Sequence, residues 1–390
     1  MIHRYQKKGL NFVLDVNSGA VHLLDDISYA VSGLLDENMG DTCPQSIIDA
    51  LPDYTADEIR EAYDELYELK KAGQLFAQDD YIDVSRYIPV NAPVKALCLH
   101  VAHDCNLRCK YCFASTGDFG QGRKIMPPEI AKKAIDFVIA RSGVRHNIEV
   151  DFFGGEPLMA WDTVTQTVDY ARSLEEKYNK KFRFTITTNG LLLDEDKRKY
   201  INENMDNCVL SLDGRREVND EFRKTVAGTG SYDTIVPKFK ALVDERDPNL
   251  DYYARGTFTS HNLDFAEDVL SIADAGFDRL SVEPVTAEPG CGYDLTEDDL
   301  PKIEAEYDRL TDIMLERKKE GKPFTFFHFM VDLDQGPCVV KRLRGCGAGY
   351  EYVAVTPDGD IYPCHQFVGK DEFKQGSVLD QSLRPVTSRN

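Results

Sequence analysis

The stretch VKALCLHVAHDCNLRCKYCF, residues 94–113, begins as an apolar, strand-like run and turns into a polar loop holding Cys105, Cys109 and Cys112 within eight residues. Five further strand-like runs follow: NIEVDFFGG, FRFTITTNG, NCVLSLDG, YYARGTFT and DRLSVEPV, with helix-length segments in the intervals. Such alternation predicts parallel strands joined by crossover helices, an α/β fold. Six units are fewer than the eight of a closed TIM barrel, which leaves a partial (β/α)6 TIM-like barrel or a doubly wound sheet. Both place their chemistry at the C-terminal ends of the strands, and the cysteine loop follows the first of them.

Thiolates are the usual ligands of iron–sulfur clusters, and a [4Fe–4S] cube needs four. Three local cysteines leave one iron open to bind a substrate or cofactor. A zinc site lacking a partner, or three unrelated core thiols, would use the same residues. Ten cysteines in 390 residues are too sparse for a disulfide scaffold, and reduced thiols imply the cytoplasm. The N-terminal MIHRYQKKGLNFVLDVNSG lacks the apolar run of a signal peptide, and no later stretch approaches the roughly 18 apolar residues that span a bilayer, so no membrane partner is expected. Lysine and arginine number 46 against 67 aspartates and glutamates, a net charge of −21. That field repels the phosphates of nucleic acid and of anionic lipid.

Residues 10–25 read as two short strands around Asn17-Ser18-Gly19, a β-hairpin. Helices are predicted at Ile27 to Leu35 and Gln45 to Leu51. Thr55 and Glu58 form a capping box before Ile59, Ala62, Tyr63, Leu66 and Leu69, which recur at helical spacing up to Gly73. A hairpin followed by helices is a winged-helix-like outline. DNA is disfavoured as its partner, because residues 1–85 carry six Lys or Arg against 17 Asp or Glu. A linker is placed at 86–93, a barrel domain at 94–320 and a C-terminal cysteine region at 321–390.

Other strand ends carry ligand-like groups. Gly154-Gly155-Glu156-Pro157 closes the second strand, where glycines let the backbone approach a ligand and leave carbonyls to accept from an ammonium. A tight strand-to-loop turn would use the same residues. Thr187-Thr188-Asn189-Gly190 and Ser211-Leu212-Asp213-Gly214 end the third and fourth strands with hydroxyl and amide groups. Cys43, Cys98, Cys208 and Cys291 stand singly and read as core or incidental thiols. His103 reads as structural, and no Ser-His-Asp or phosphate-loop signature is present.

CNLRCKYCF resembles, at every position, the CxxxCx-aromatic-C signature of the radical S-adenosylmethionine (SAM) superfamily. The resemblance implies that Cys105, Cys109 and Cys112 hold a [4Fe–4S] cluster whose open iron chelates the amino and carboxylate groups of SAM. An electron then cleaves the sulfonium, and the 5′-deoxyadenosyl radical takes a hydrogen from the substrate. It further implies that Tyr111 packs near the adenine and that Gly154, Gly155 and Glu156 meet the methionine amino group. Thr187, Asn189 and Ser211 would face ribose and carboxylate oxygens, and Arg223 would pair with the cofactor carboxylate.

The run CGAGYEYVAVTPDGDIYPC, residues 346–364, with Cys338 upstream, resembles the opening of the SPASM/twitch extension. Cys338, Cys346 and Cys364 would then ligate an auxiliary [4Fe–4S] cluster. The family's later cysteine block is not found before Asn390, so this extension is read as truncated, with no second auxiliary cluster. The N-terminal domain is similar to the leader-peptide recognition element of maturases, in which a leader adds a strand to the sheet edge. Taken together, the motifs resemble the thioether-forming (sactionine-type) maturases of six-cysteine (SCIFF) peptides. This implies a cysteine-rich precursor peptide as substrate, a cysteine sulfur joined to an α-carbon, and a reductant such as a flavodoxin or ferredoxin. The alternatives are a formylglycine-forming sulfatase-maturing enzyme and a leader-binding protein with incomplete catalytic machinery. No catalytic base is identified.

Overall fold

The computed structural model describes residues 1–79, 92–331 and 345–384. Most of the 86–93 linker and Cys338 lie outside them. Described residues within Met1–Pro89 and Val331–Cys346 form one compact unit, and those within Val90–Met330 and Gly347–Asn390 another.

In the first unit β1 (Ile2–Lys7), β2 (Leu10–Asp15) and β3 (Val21–Leu24) make an antiparallel sheet in that order. The hairpin is therefore one strand larger than the sequence predicts. IHRYQK is polar, and its alternation of exposed and half-buried positions is that of an edge strand, which carries little apolar signal. The helices are α1 (Asp26–Ser32), α2 (Gln45–Ala50) and α3 (Ala56–Lys71). The predicted capping box forms: Glu58 Oε2 accepts from the Thr55 amide at 2.8 Å, and the Glu58 amide donates to Thr55 Oγ1. Helix α3 buries Ile59, Ala62, Tyr63 and Leu66, which pack with Val13, Val31 and Ile47.

The second unit is built on the parallel strands β4 (Ala96–His103), β7 (Asn147–Gly154), β8 (Lys181–Thr188), β9 (Asn207–Ser211), β11 (Asp251–Phe258) and β12 (Arg279–Pro284). A two-residue strand, β6 (Lys124–Ile125), pairs antiparallel with the C-terminal end of β4. Between the parallel strands run α4 (Pro128–Arg141), α5 (Trp161–Tyr178), α6 (Glu195–Asn204), α7 (Arg216–Phe222), α8 (Tyr232–Asp244) and α9 (Phe265–Asp274). Each parallel strand lies beside its predecessor, so strand order follows chain order as in a TIM barrel. A doubly wound sheet, whose order reverses at a switch point, is ruled out. The sheet remains open. After α10 (Leu300–Lys319), β13 (Thr325–Phe326) extends one edge, while β14 (Tyr352–Val355) pairs parallel with β4. Short antiparallel strands β15 (Asp360–Tyr362), β16 (Gly376–Ser377) and β17 (Ser382–Leu383) continue from it.

Strand alternation divides the sheet into two faces with different chemistry. Ile148, Val150 and Phe152 of β7, Phe182, Phe184 and Ile186 of β8, and Cys208 and Leu210 of β9 join a core with Ala131, Ile135, Val138, Val164 and Val168 of the helices. Each large apolar side chain buried there contributes roughly 1.5–3 kcal/mol. The intervening residues, Asp151, Phe153, Thr185, Thr187, Asn207 and Ser211, line a cavity on the other face.

Candidate radical SAM site

The cavity measures about 570 Å³ and lies wholly within the second unit. Cys105, Cys109 and Cys112 all face it, with Tyr111, Gly154, Gly155, Glu156, Thr187, Asn189, Ser211 and Arg223. Residues spread over 119 positions of sequence are thus gathered at one end of the sheet, because parallel strands bring their C-terminal ends to the same edge.

The glycines are required by close packing. The Gly155 amide donates to Ala102 O at 2.7 Å and the Glu156 amide to Asp104 O at 2.9 Å, which clamps the β7 turn onto the cysteine loop. A Cβ on Gly155 would lie 2.1 Å from Asp104 O, and Gly154, at φ +125°, would meet Ala102 O at 2.2 Å. The Glu156 carboxylate is tied into the protein: it accepts from the Leu158 amide, the Thr188 hydroxyl at 2.7 Å and the Asn189 amide at 2.8 Å. Burial raises its pKa against the lowering effect of those donors. Glu156 therefore ties the β7 turn to the β8 turn. Asn189 in turn points its amide at Asn106 Oδ1, 2.8 Å away, and at Cys105 Sγ, 3.6 Å away.

Arg223 arrives from far along the chain. Short strands β5 (Leu107–Cys109) and β10 (Arg223–Thr225) pair antiparallel, with Arg223 opposite Cys109. Arg223 is buried, its Nη1 donates to the Tyr111 hydroxyl at 3.0 Å, and that hydroxyl donates to Asp213 Oδ2 at 2.6 Å. Asp213 is buried too and also accepts from the Thr257 amide. Sequence reasoning placed Asp213 inside a motif without giving it a part. Its position two residues beyond Ser211, at the turn where the strand leaves the sheet, was the available signal.

The residues fit an iron–sulfur cluster and an anionic ligand. Burial pushes the Cys105 thiol up to about 12 and Cys109 up to about 11, with Arg223 opposing the rise at Cys109. Such thiols become thiolates when iron supplies positive charge. Among the described residues no three His, Cys, Asp or Glu side chains converge as ligands of a single ion do. Three cysteines facing one cavity suit a cluster, in which each thiolate binds a different iron. Arg223 Nε, buried and without a hydrogen-bond partner, is a donor available to an anion.

Cys346 is exposed, and Cys364 is half-buried after β15, beside the cavity residues His365 and Gln366. Among the lone cysteines, Cys98 and Cys208 are buried, Cys43 half-buried and Cys291 exposed. His103 is buried and hydrogen-bonded to His100 at 3.3 Å.

Comparison with known proteins agrees with the geometry. The model described as "Radical SAM superfamily" matches residues 99–251, and SPASM, "Iron-sulfur cluster-binding domain", matches 346–389. An uncharacterized Archaeoglobus fulgidus protein is 25% identical over 287 residues, covering 72% of this chain and 64% of the relative. A cysteine-type anaerobic sulfatase-maturating enzyme of Clostridium novyi is 24% identical over 304 residues, 74% and 77% of the two chains. Native anSMEcpe with bound AdoMet and Cp18Cys peptide superposes with TM-score 0.60 at 22% identity, covering 74% of this chain and 78% of that one. Streptococcus suis SuiB bound to precursor peptide SuiA gives 0.54 at 17% identity, covering 96% and 84%. No helix of the described residues is long and apolar enough to cross a membrane. This single chain therefore carries a radical SAM domain, whose cofactors are S-adenosylmethionine and a [4Fe–4S] cluster, together with a SPASM iron–sulfur-cluster-binding domain.

Proposed function

We propose that the chain is a maturase that reductively cleaves SAM and joins cysteine sulfurs to α-carbons in a cysteine-rich precursor peptide. The observation that carries this reading is the cavity that combines Cys105, Cys109 and Cys112 with a polar barrel face below them. When bound, the cluster and SAM supply the 5′-deoxyadenosyl radical. Cys105, Cys109 and Cys112 hold the cluster, with Asn189 positioning Cys105. The Gly154-Gly155 turn gives the methionine end close access to backbone, and Arg223 Nε takes a carboxylate. Asp213 fixes the Tyr111 ring, and Thr187 and Ser211 offer hydroxyls from the strand ends. Cys338, Cys346 and Cys364 would hold auxiliary iron.

For the first unit, leader recognition is supported by the β3 edge, where Leu23 is 61% exposed and Val21 also faces solvent. Such an edge can take an added strand from an extended peptide. Structural likeness to SuiB, which was solved with a precursor peptide, extends over 96% of the chain. A second reading, formylglycine formation on a protein substrate, is favoured by similarity to the sulfatase-maturating enzyme of C. novyi. Anaerobically reconstituted protein with dithionite and SAM should release 5′-deoxyadenosine, and none above a Cys105→Ala control would refute both readings. Mass spectrometry of the treated peptide then separates them. Thioether formation removes two hydrogens per crosslink, whereas formylglycine formation also exchanges sulfur for oxygen.

A further inference from the structure

Below the cofactor motifs the cavity reaches a row of side chains set by strand register. Cys98 lies opposite Asp151, Asp151 opposite Thr185, and Thr185 opposite Asn207. All four line the cavity. Asp151 stands three residues before Gly154 on β7, so the strand rise of about 3.3 Å per residue puts it roughly 10 Å deeper than the glycine turn. Asn207 Oδ1 is buried without a hydrogen-bond partner. The floor is thus rich in acceptors, and a carboxylate is the strongest proton acceptor in it.

The groups around Asp151 are identifiable. Thr185 donates a hydrogen bond to it, Glu149 stands two positions back on the same strand, and Cys98 and the Tyr352 hydroxyl come from β4 and β14. Across the cavity, Arg255 is engaged by Glu283, with Nε 3.1 Å from Oε1. Arg183, also on β8, is directed to Glu149 and Asp206. No cation among these is paired with Asp151.

We infer that Asp151 is the proton acceptor of the reaction, taking the sulfhydryl proton of the substrate cysteine as sulfur makes its new bond to carbon. The inference rests on the proposed function, and it holds for either chemistry considered there. A hydrogen atom leaves a substrate carbon for the 5′-deoxyadenosyl radical. The S–H bond breaks, its proton goes to the Asp151 carboxylate, and its electron pair together with the carbon-centred electron forms a C–S bond. One electron is left over and passes to an oxidised iron–sulfur cluster. The result is a thioether if the carbon is the α-carbon of another residue, or a C=S bond if it is the cysteine's own β-carbon. Burial, with Glu149 adding to it and the Thr185 hydrogen bond opposing it, raises the Asp151 carboxyl to about 7. An acceptor poised near the working pH is what general-base catalysis requires.

The test uses the full chain, reconstituted anaerobically, with a cysteine-rich precursor peptide. Asp151→Asn should lower the ratio of modified peptide to 5′-deoxyadenosine by about 100-fold or more, and Asp151→Glu should restore part of it. For wild type this ratio should rise with pH through about 7, and the rise should be absent in Asp151→Asn. An unchanged ratio and pH profile in Asp151→Asn would overturn the inference. Infrared difference spectra of wild type minus Asp151→Asn provide a second readout that needs no turnover. The carboxyl band present in wild type should titrate near neutral pH, and a band already ionised at pH 5 would overturn the inference. Wild type that yields 5′-deoxyadenosine but no altered peptide would instead refute the maturase reading, and the infrared titration would still decide on Asp151.

Discussion

The rim of the cavity and its floor are built by different means. Rim residues sit in turns where the chain leaves the sheet, and they come as contiguous motifs: CNLRCKYC, GGEP, TTNG and SLDG. Floor residues Cys98, Asp151 and Thr185 sit inside strands and come singly, between apolar neighbours that face the helices. A turn binds a ligand with several successive residues, so its chemistry is written consecutively. A strand offers a cavity one side chain in two, so its chemistry is diluted by the core it also has to fill.

This contrast can be attacked by variants that separate radical generation from the later bond-forming chemistry. The largest effect is expected at the rim: Cys105→Ala should abolish 5′-deoxyadenosine release and lower the iron content of the reconstituted protein. Next, Arg223→Gln removes the buried Nε donor, together with the hydrogen bond to the Tyr111 hydroxyl and the positive charge beside Asp213. SAM affinity measured by equilibrium binding should fall roughly 10- to 100-fold, the range for losing a hydrogen bond to a charged group.

Floor variants should spare SAM binding and appear in product formation, stability or pH dependence. Unfolded aspartate titrates near 3.9, whereas Asp151 in the fold is raised to about 7. A carboxyl with a higher pKa folded than unfolded gives its full stabilisation below the unfolded value and loses it as pH rises through the folded one. Ionised Asp151 therefore burdens the fold above neutrality. Asp151→Asn should be more stable than wild type at pH 8 by on the order of 2–4 kcal/mol, with a smaller difference at pH 5, as read from denaturation curves. The smallest effect is expected from Thr185→Val, which removes the hydrogen bond that lowers the Asp151 pKa. The pH limb of product formation should move up by about half a unit. A loss of SAM affinity in either floor variant would break the distinction between the two layers.

Much of the candidate site was legible because the rim motifs are local. Cys105, Cys109, Cys112, Gly154, Gly155, Thr187, Asn189, Ser211 and Arg223 all line one cavity, as do Tyr111 and Glu156. The sequence did not disclose how they are held. Glu156 read only as a cofactor contact, and the structure gives it a second part, accepting from Leu158, Thr188 and Asn189. Asp213 looked like part of a turn, but it anchors Tyr111. In the first unit the apolar spacing of α3 was plain, while β1 was missed because its polar residues need no buried face.

The sequence by itself determined the parallel α/β class, the grouping of Cys105, Cys109 and Cys112 in one loop and the helical faces, since each follows from periodicity or spacing over a few neighbours. Tertiary structure decided the pairings. It opposed Arg223 to Cys109 across 114 positions, aligned Cys98, Asp151, Thr185 and Asn207 in one row, and brought β14 to the free edge of β4. Such contacts are fixed by strand register, and register depends on the packing of the whole sheet and carries no local signature.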